Sequence, residues 1–67
     1  MNLDDITNSQ IEAVIDEYIH SERDRAIMKS RLIDGICYEP LADEFNLSVV
    51  GIRKIVSKCE KIIFRHL

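Results

Sequence analysis

An all-α fold of four helices is what this sequence predicts, and three features of the chain predict it. Only two Gly and one Pro interrupt its 67 residues. Apolar residues recur at spacings of three and four, the period that gives a helix one buried face. Ser21 and Ser48 stand directly before periodic stretches, where a hydroxyl can accept the unpaired N–H groups of a first turn. A chain of this length makes one domain, residues 1–67. Its core should supply only about 3–5 kcal/mol of net stability, so it must pack efficiently or lean on a partner.

The first helix is expected from about Ser9 to His20, capped by Thr7 or Asn8. Ile11, Val14, Ile15, Tyr18 and Ile19 share one face of it, and the other face is acidic. Ser21 caps a second helix, Glu22 to about Asp34, with Asp24 where a capping box usually has Glu. Gly35 is placed to end it. Ile27, Met28 and Leu32 lie on one side of this helix and Ala26 and Ile33 on another, so it should be sandwiched between neighbours. Pro40 suits the first position of a short third helix running to about Asn46. Ser48 then caps a fourth helix from Val49 almost to the C-terminus. One stripe of it holds Ile52, Ile55, Val56, Cys59, Ile62 and Ile63, and Lys54, Lys58, Lys61 and Arg65 form a second stripe roughly opposite.

The third and fourth helices meet the demands of a helix-turn-helix, a short helix and a second helix joined by a three- to four-residue turn. Ala42 is small enough for a close crossing, with Leu41 and Phe45 facing inward beside it. Asn46 tolerates the left-handed backbone of a tight turn, where Gly is commoner. Leu47 plugs the corner, and Ile52 and Ile55 close the core.

Charge is distributed unevenly. The net charge is −3, yet residues 1–22 hold six acids and no Lys or Arg, while residues 23–67 carry all nine basic side chains against six acids. From Phe45 onward five basic residues face one acid, Glu60. A phosphate responds to the local field within a Debye length rather than to the total.

Other chemistry finds little support in the residues. Cys37 and Cys59 form no C-x-x-C pair, which suits free thiols in a reducing compartment, with Cys59 a small core hydrophobe. His20 and His66 are isolated from each other and from any nucleophile. The carboxylates fall on solvent-facing helix positions, so no enzyme, metal site or cofactor is expected. No apolar run approaches the ~18 residues of a membrane span, and the acidic Met1–Asp5 stretch is unlike a signal peptide. The expected location is cytoplasmic.

Residues 21–67 resemble region four of bacterial sigma factors, the domain that binds the −35 element of promoters. The resemblance rests on the run from Glu22 to Leu32, on Asp34-Gly35, Tyr38-Glu39, Leu41-Ala42, Phe45 and Leu47-Ser48, and on Ile52-Arg53-Lys54-Ile55. The acidic helix of residues 1–20 lies outside it. The resemblance implies that Arg23 and Arg31 contact DNA phosphates and that Arg53 and Lys54 face the major groove. Members of the family that read the −35 hexamer carry an Arg-Glu pair immediately after the capping Ser or Thr, and this chain has Val49-Val50-Gly51 there. No bidentate Arg–guanine contact is available from those positions. With no core-polymerase-binding or −10-reading region in these 67 residues, the role of a complete sigma factor is not expected.

The expected function is that of a small DNA-binding transcriptional regulator of a bacterium, phage or mobile element. Its partner is double-stranded DNA, read in the major groove by the helix starting at Val49. Arg53 and Lys54 reach bases, Arg23, Arg31, Lys58 and Lys61 hold phosphates, and Ser48, Val49 and Val50 border the contact, Val50 within reach of thymine methyls. The alternative is a protein-interaction module, including a phage-type inhibitor, that binds RNA polymerase or another protein through the same surface. The first helix is expected to be a lid over the core, its acidic face turned from DNA, with a homodimer interface as the rival role. Phe64 falls outside the core stripe and would serve a dimer or a partner.

Overall fold

The computed structural model describes residues 7–67, and the Met1–Asp5 stretch lies outside the described residues. The described chain is all-α: α1 spans Asn8–Tyr18, α2 Glu22–Leu32, α3 Tyr38–Phe45 and α4 Val49–Arg65. No helix among the described residues is long and apolar enough to cross a membrane.

Local hydrogen bonding sets most helix starts. Thr7 caps α1 in a reciprocal box: its Oγ1 accepts the Gln10 N–H at 3.2 Å and its own N–H donates to Gln10 Oε1 at 2.9 Å. The Ser21 hydroxyl accepts from the Asp24 N–H at 3.4 Å. The Asp24 carboxylate does not complete a box there, because it turns to Arg23 and Lys58 instead. Ser48 Oγ accepts the Gly51 N–H at 3.0 Å. A Cβ on residue 51 would stand 3.2 Å from that hydroxyl, so Gly51 leaves room for the cap.

Three boundaries differ from the expected ones. Helix α1 ends at Tyr18 rather than His20, because Ile19 turns extended and drops into the core. Helix α2 closes at Leu32, two residues before Asp34, and Gly35 follows with a φ of 71°. Helix α3 begins at Tyr38, so Pro40 is its third residue and not its first. The first helical N–H to find a carbonyl is that of Leu41, which donates to Cys37 at 3.3 Å. Pro40 therefore removes no bond the helix would have made.

The turn between α3 and α4 is Asn46, Leu47 and Ser48. Asn46 is left-handed, at φ 60° and ψ 40°, and the Leu47 N–H reaches back to the Ala42 carbonyl at 2.9 Å. The Asn46 N–H is directed to the Ala42 and Asp43 carbonyls, so the last carbonyls of the helix are satisfied within the turn, and Leu47 is tucked against the core.

The core is Ile15 and Ile19 from the first helix and its exit, Ile27 and Met28 from α2, Leu41 and Ala42 from α3, and Ile52, Val56, Cys59 and Ile63 from α4. Helix α2 packs on all three other helices, whereas α1 packs on α2 and α4 only. The sandwich expected for α2 is present, but Ala26 takes no part in it and is exposed. Helix α1 thus covers the side of the core away from α3. Its acidic face is partly engaged at the surface of the fold, with Lys29 Nζ 2.8 Å from Asp16 and 3.8 Å from Glu12. At its far end the Tyr18 ring stacks on His66, centroids 3.7 Å apart.

Ala42 is buried on α3 among larger side chains. Ala42→Leu should overpack that position and cost about 1–3 kcal/mol. An unchanged urea midpoint would mean that α3 does not lie close against its neighbours.

Candidate nucleic-acid interface

Helix α4 presents a stripe of cations outward because its apolar stripe is occupied by the core. Ile52, Val56, Cys59 and Ile63 are buried, which turns Val50, Lys54, Ser57 and Lys61 to the opposite side. Together with Arg53 and Lys58 these side chains line a shallow, open groove of about 440 Å³ along the helix. No carboxylate lines it. Glu60, the acid of this helix, is half-buried near the edge of the core stripe.

The expected site residues divide by what they touch. Ser48 is exposed and engaged as the cap of α4. Val49 is half-buried against the core, whereas Val50 is 60% exposed. Lys54 and Lys61 stand in solvent, with no ion pair among the described residues.

Arg53 and Lys58 occupy opposite flanks of the outward face, since five residues rotate a helix by about 140° beyond one full turn. Each flank meets a different element. On one, Lys58 Nζ lies 3.9 Å from the Asp24 carboxylate, and Arg23 Nε lies 3.3 Å from the same group. On the other, the Arg53 guanidinium carbon lies 5.6 Å from the centre of the Tyr38 ring, and that of Arg31 lies 4.7 Å from it. Arg31 also donates from Nη1 to the Ile36 carbonyl at 3.3 Å.

One correction follows from these contacts. Arg23 and Lys58, expected to hold phosphates, remain largely exposed and lie beside one carboxylate of their own chain. Asp24 is 6% exposed, against the expectation that the carboxylates sit on solvent-facing positions. A signal for it was present, because Asp24 precedes Ile27 and Met28 by three and four residues and so shares their face. Arg31 is half-buried and fastened to the α2–α3 loop, a more confined place than a free surface arginine has. Tyr38, noted in the sequence only as part of a motif, is the side chain that gathers both arginines.

Cysteine and histidine chemistry lies elsewhere. Both thiols are free, Cys37 exposed and Cys59 buried. Burial first, and the Asp24 charge second, push the Cys59 thiol above its ordinary pKa, with Lys58 opposing; it stays protonated and packs as a hydrophobe. Among the described residues no three His, Cys, Asp or Glu side chains converge as a metal-binding group.

Compared with protein-family models, with curated proteins and with solved structures, the chain finds no match in any of the three.

Proposed function

We propose that this chain is a small helix-turn-helix regulator that binds double-stranded DNA, with the N-terminal part of α4 in the major groove. The supporting observation is the outward face of α4, where Arg53, Lys54, Lys58 and Lys61 line one open groove and the Asp24 carboxylate approaches only Lys58. A helix with its side chains is about 10–12 Å across, close to the ~12 Å width of the major groove. The 17 residues of α4 extend about 25 Å, so only its first turns fit between the phosphate walls. Arg53 and Lys54 stand in those turns and suit base edges, while Lys61 lies farther out and suits the backbone. Arg23 and Lys58 flank one wall and Arg31 the other. The likeness of residues 21–67 to sigma region four agrees with this orientation, and Val49-Val50 in place of polar readers argues for a target other than the standard promoter hexamer.

The test is a binding isotherm on random duplex DNA across a salt series. Binding should be saturable and weaken with salt by about 0.9 log units per log unit for each phosphate neutralised. Lys61→Ala should reduce that slope by about one contact and weaken all duplexes alike. Lys61 is the better choice than Lys58, whose removal would also strip a counter-charge from buried Asp24. Salt-insensitive or unsaturable association would defeat the proposal.

A second reading draws on the 60% exposure of Val50 and the 52% exposure of Phe64. On it, the same helix docks RNA polymerase or another protein through these apolar side chains.

A further inference from the structure

We infer that Tyr38 positions Arg53 for base discrimination, so that the specificity of the duplex contact is set from α3 as well as from α4; the inference rests on the DNA-binding reading. Discrimination between base pairs by arginine depends on a guanidinium fork held in one plane, with two N–H groups directed at neighbouring acceptors. A free surface arginine holds no such orientation, because its long side chain must lose rotamer freedom on ordering. Arg53 is exposed, yet its guanidinium carbon stands 5.6 Å from the Tyr38 ring centre, within the ~6 Å reach of cation–π attraction.

The kind of restraint matters as much as its presence. A hydrogen-bonded ion pair takes up a donor of the cation, as the Asp24 carboxylate takes up the Nε–H of Arg23. Cation–π attraction needs no acceptor atom, so it restrains the guanidinium while leaving its N–H donors available to a base. No other Lys or Arg of α4 has an aromatic ring beneath it among the described residues.

The ring is itself held. Tyr38 is half-buried against the core. The loop before it is tied twice to α2: the Ile36 N–H donates to the Ser30 carbonyl at 3.1 Å, and the Ile36 carbonyl accepts from Arg31 at 3.3 Å. The guanidinium carbon of Arg31 also stands over the ring, 4.7 Å from its centre. The order of support runs from α2 through the loop to Tyr38, and from Tyr38 to Arg53.

The experiment uses the full chain and the duplex motif it enriches from a random pool. The discrimination ratio is the affinity for that motif over the affinity for a scrambled duplex, measured with the salt slope and the unfolding midpoint. Tyr38→Phe keeps the ring and should hold the ratio within about twofold. Tyr38→Leu should lower it about three- to tenfold with an unchanged salt slope, in line with the strength of an exposed to partly buried cation–π contact. Arg53→Ala should lower the ratio in the wild type and add little to Tyr38→Leu, since the two act as one unit. Should Tyr38→Leu fail to fold, the wild type still decides: the Arg53 side-chain protons should show an upfield ring-current shift by NMR, and random-coil positions overturn the inference. Duplex binding by the wild type with an undiminished ratio in Tyr38→Leu overturns this inference alone. No duplex binding by the wild type overturns it together with the reading on which it rests.

Discussion

Ile52→Ala is expected to leave the chain largely unfolded at ordinary temperature. Ile52 is fully buried, the first residue of α4 to be so, and it follows directly on the turn from α3. Truncating such a side chain removes its transfer energy and leaves a cavity, which together cost about 2–5 kcal/mol. A domain of this length has a net stability of only about 3–5 kcal/mol, so one deletion consumes most of it. Far-ultraviolet circular dichroism under a urea gradient reads the result directly. A cooperative transition at the wild-type midpoint would show that α4 does not depend on this contact. The loss should spread to the outward face, because Arg53 and Lys54 follow Ile52 on the same turn.

Val50→Glu should do the reverse, sparing the fold and removing the binding. Val50 is well exposed and lines the groove beside Arg53 and Lys54. A carboxylate in the first turn of a helix interacts favourably with the macrodipole, by about 0.3–1 kcal/mol, so the unfolding midpoint should hold or rise slightly. The same carboxylate would face phosphate oxygens in the groove, where a like-charge juxtaposition costs several kcal/mol. Duplex affinity should fall a hundredfold or more at low salt. An affinity within threefold of wild type would place Val50 away from DNA and refute the proposed orientation of α4. If the wild type shows no salt-dependent duplex binding, and Val50→Glu breaks a complex recovered from host cells, the surface belongs to a protein partner instead.

What can be read from the sequence alone is what short-range physics controls. The caps at Ser21 and Ser48 and the left-handed Asn46 involve partners three to five residues away, and each was legible in the residues. The buried stripe of α4 follows from the 3.6-residue period, as does the outward stripe of lysines. The helix ends were less legible. The missing N–H of Pro40 is as harmless at the third position of a helix as at the first, and Ile33 and Asp34 are ordinary helix residues until Gly35 turns the chain. The side-chain partnerships across helices had to wait for the fold. Asp24 shares a face with Ile27 and Met28, but nothing near it in the chain announces Lys58 as a neighbour. Tyr38 gives no sign that Arg31 and Arg53 will meet on its ring, nor Tyr18 that it will stack on His66. These contacts depend on how far each helix rotates and slides against the others. That rotation is set by how all the buried side chains, from Ile15 to Ile63, fill one shared volume, which no single segment of the sequence encodes.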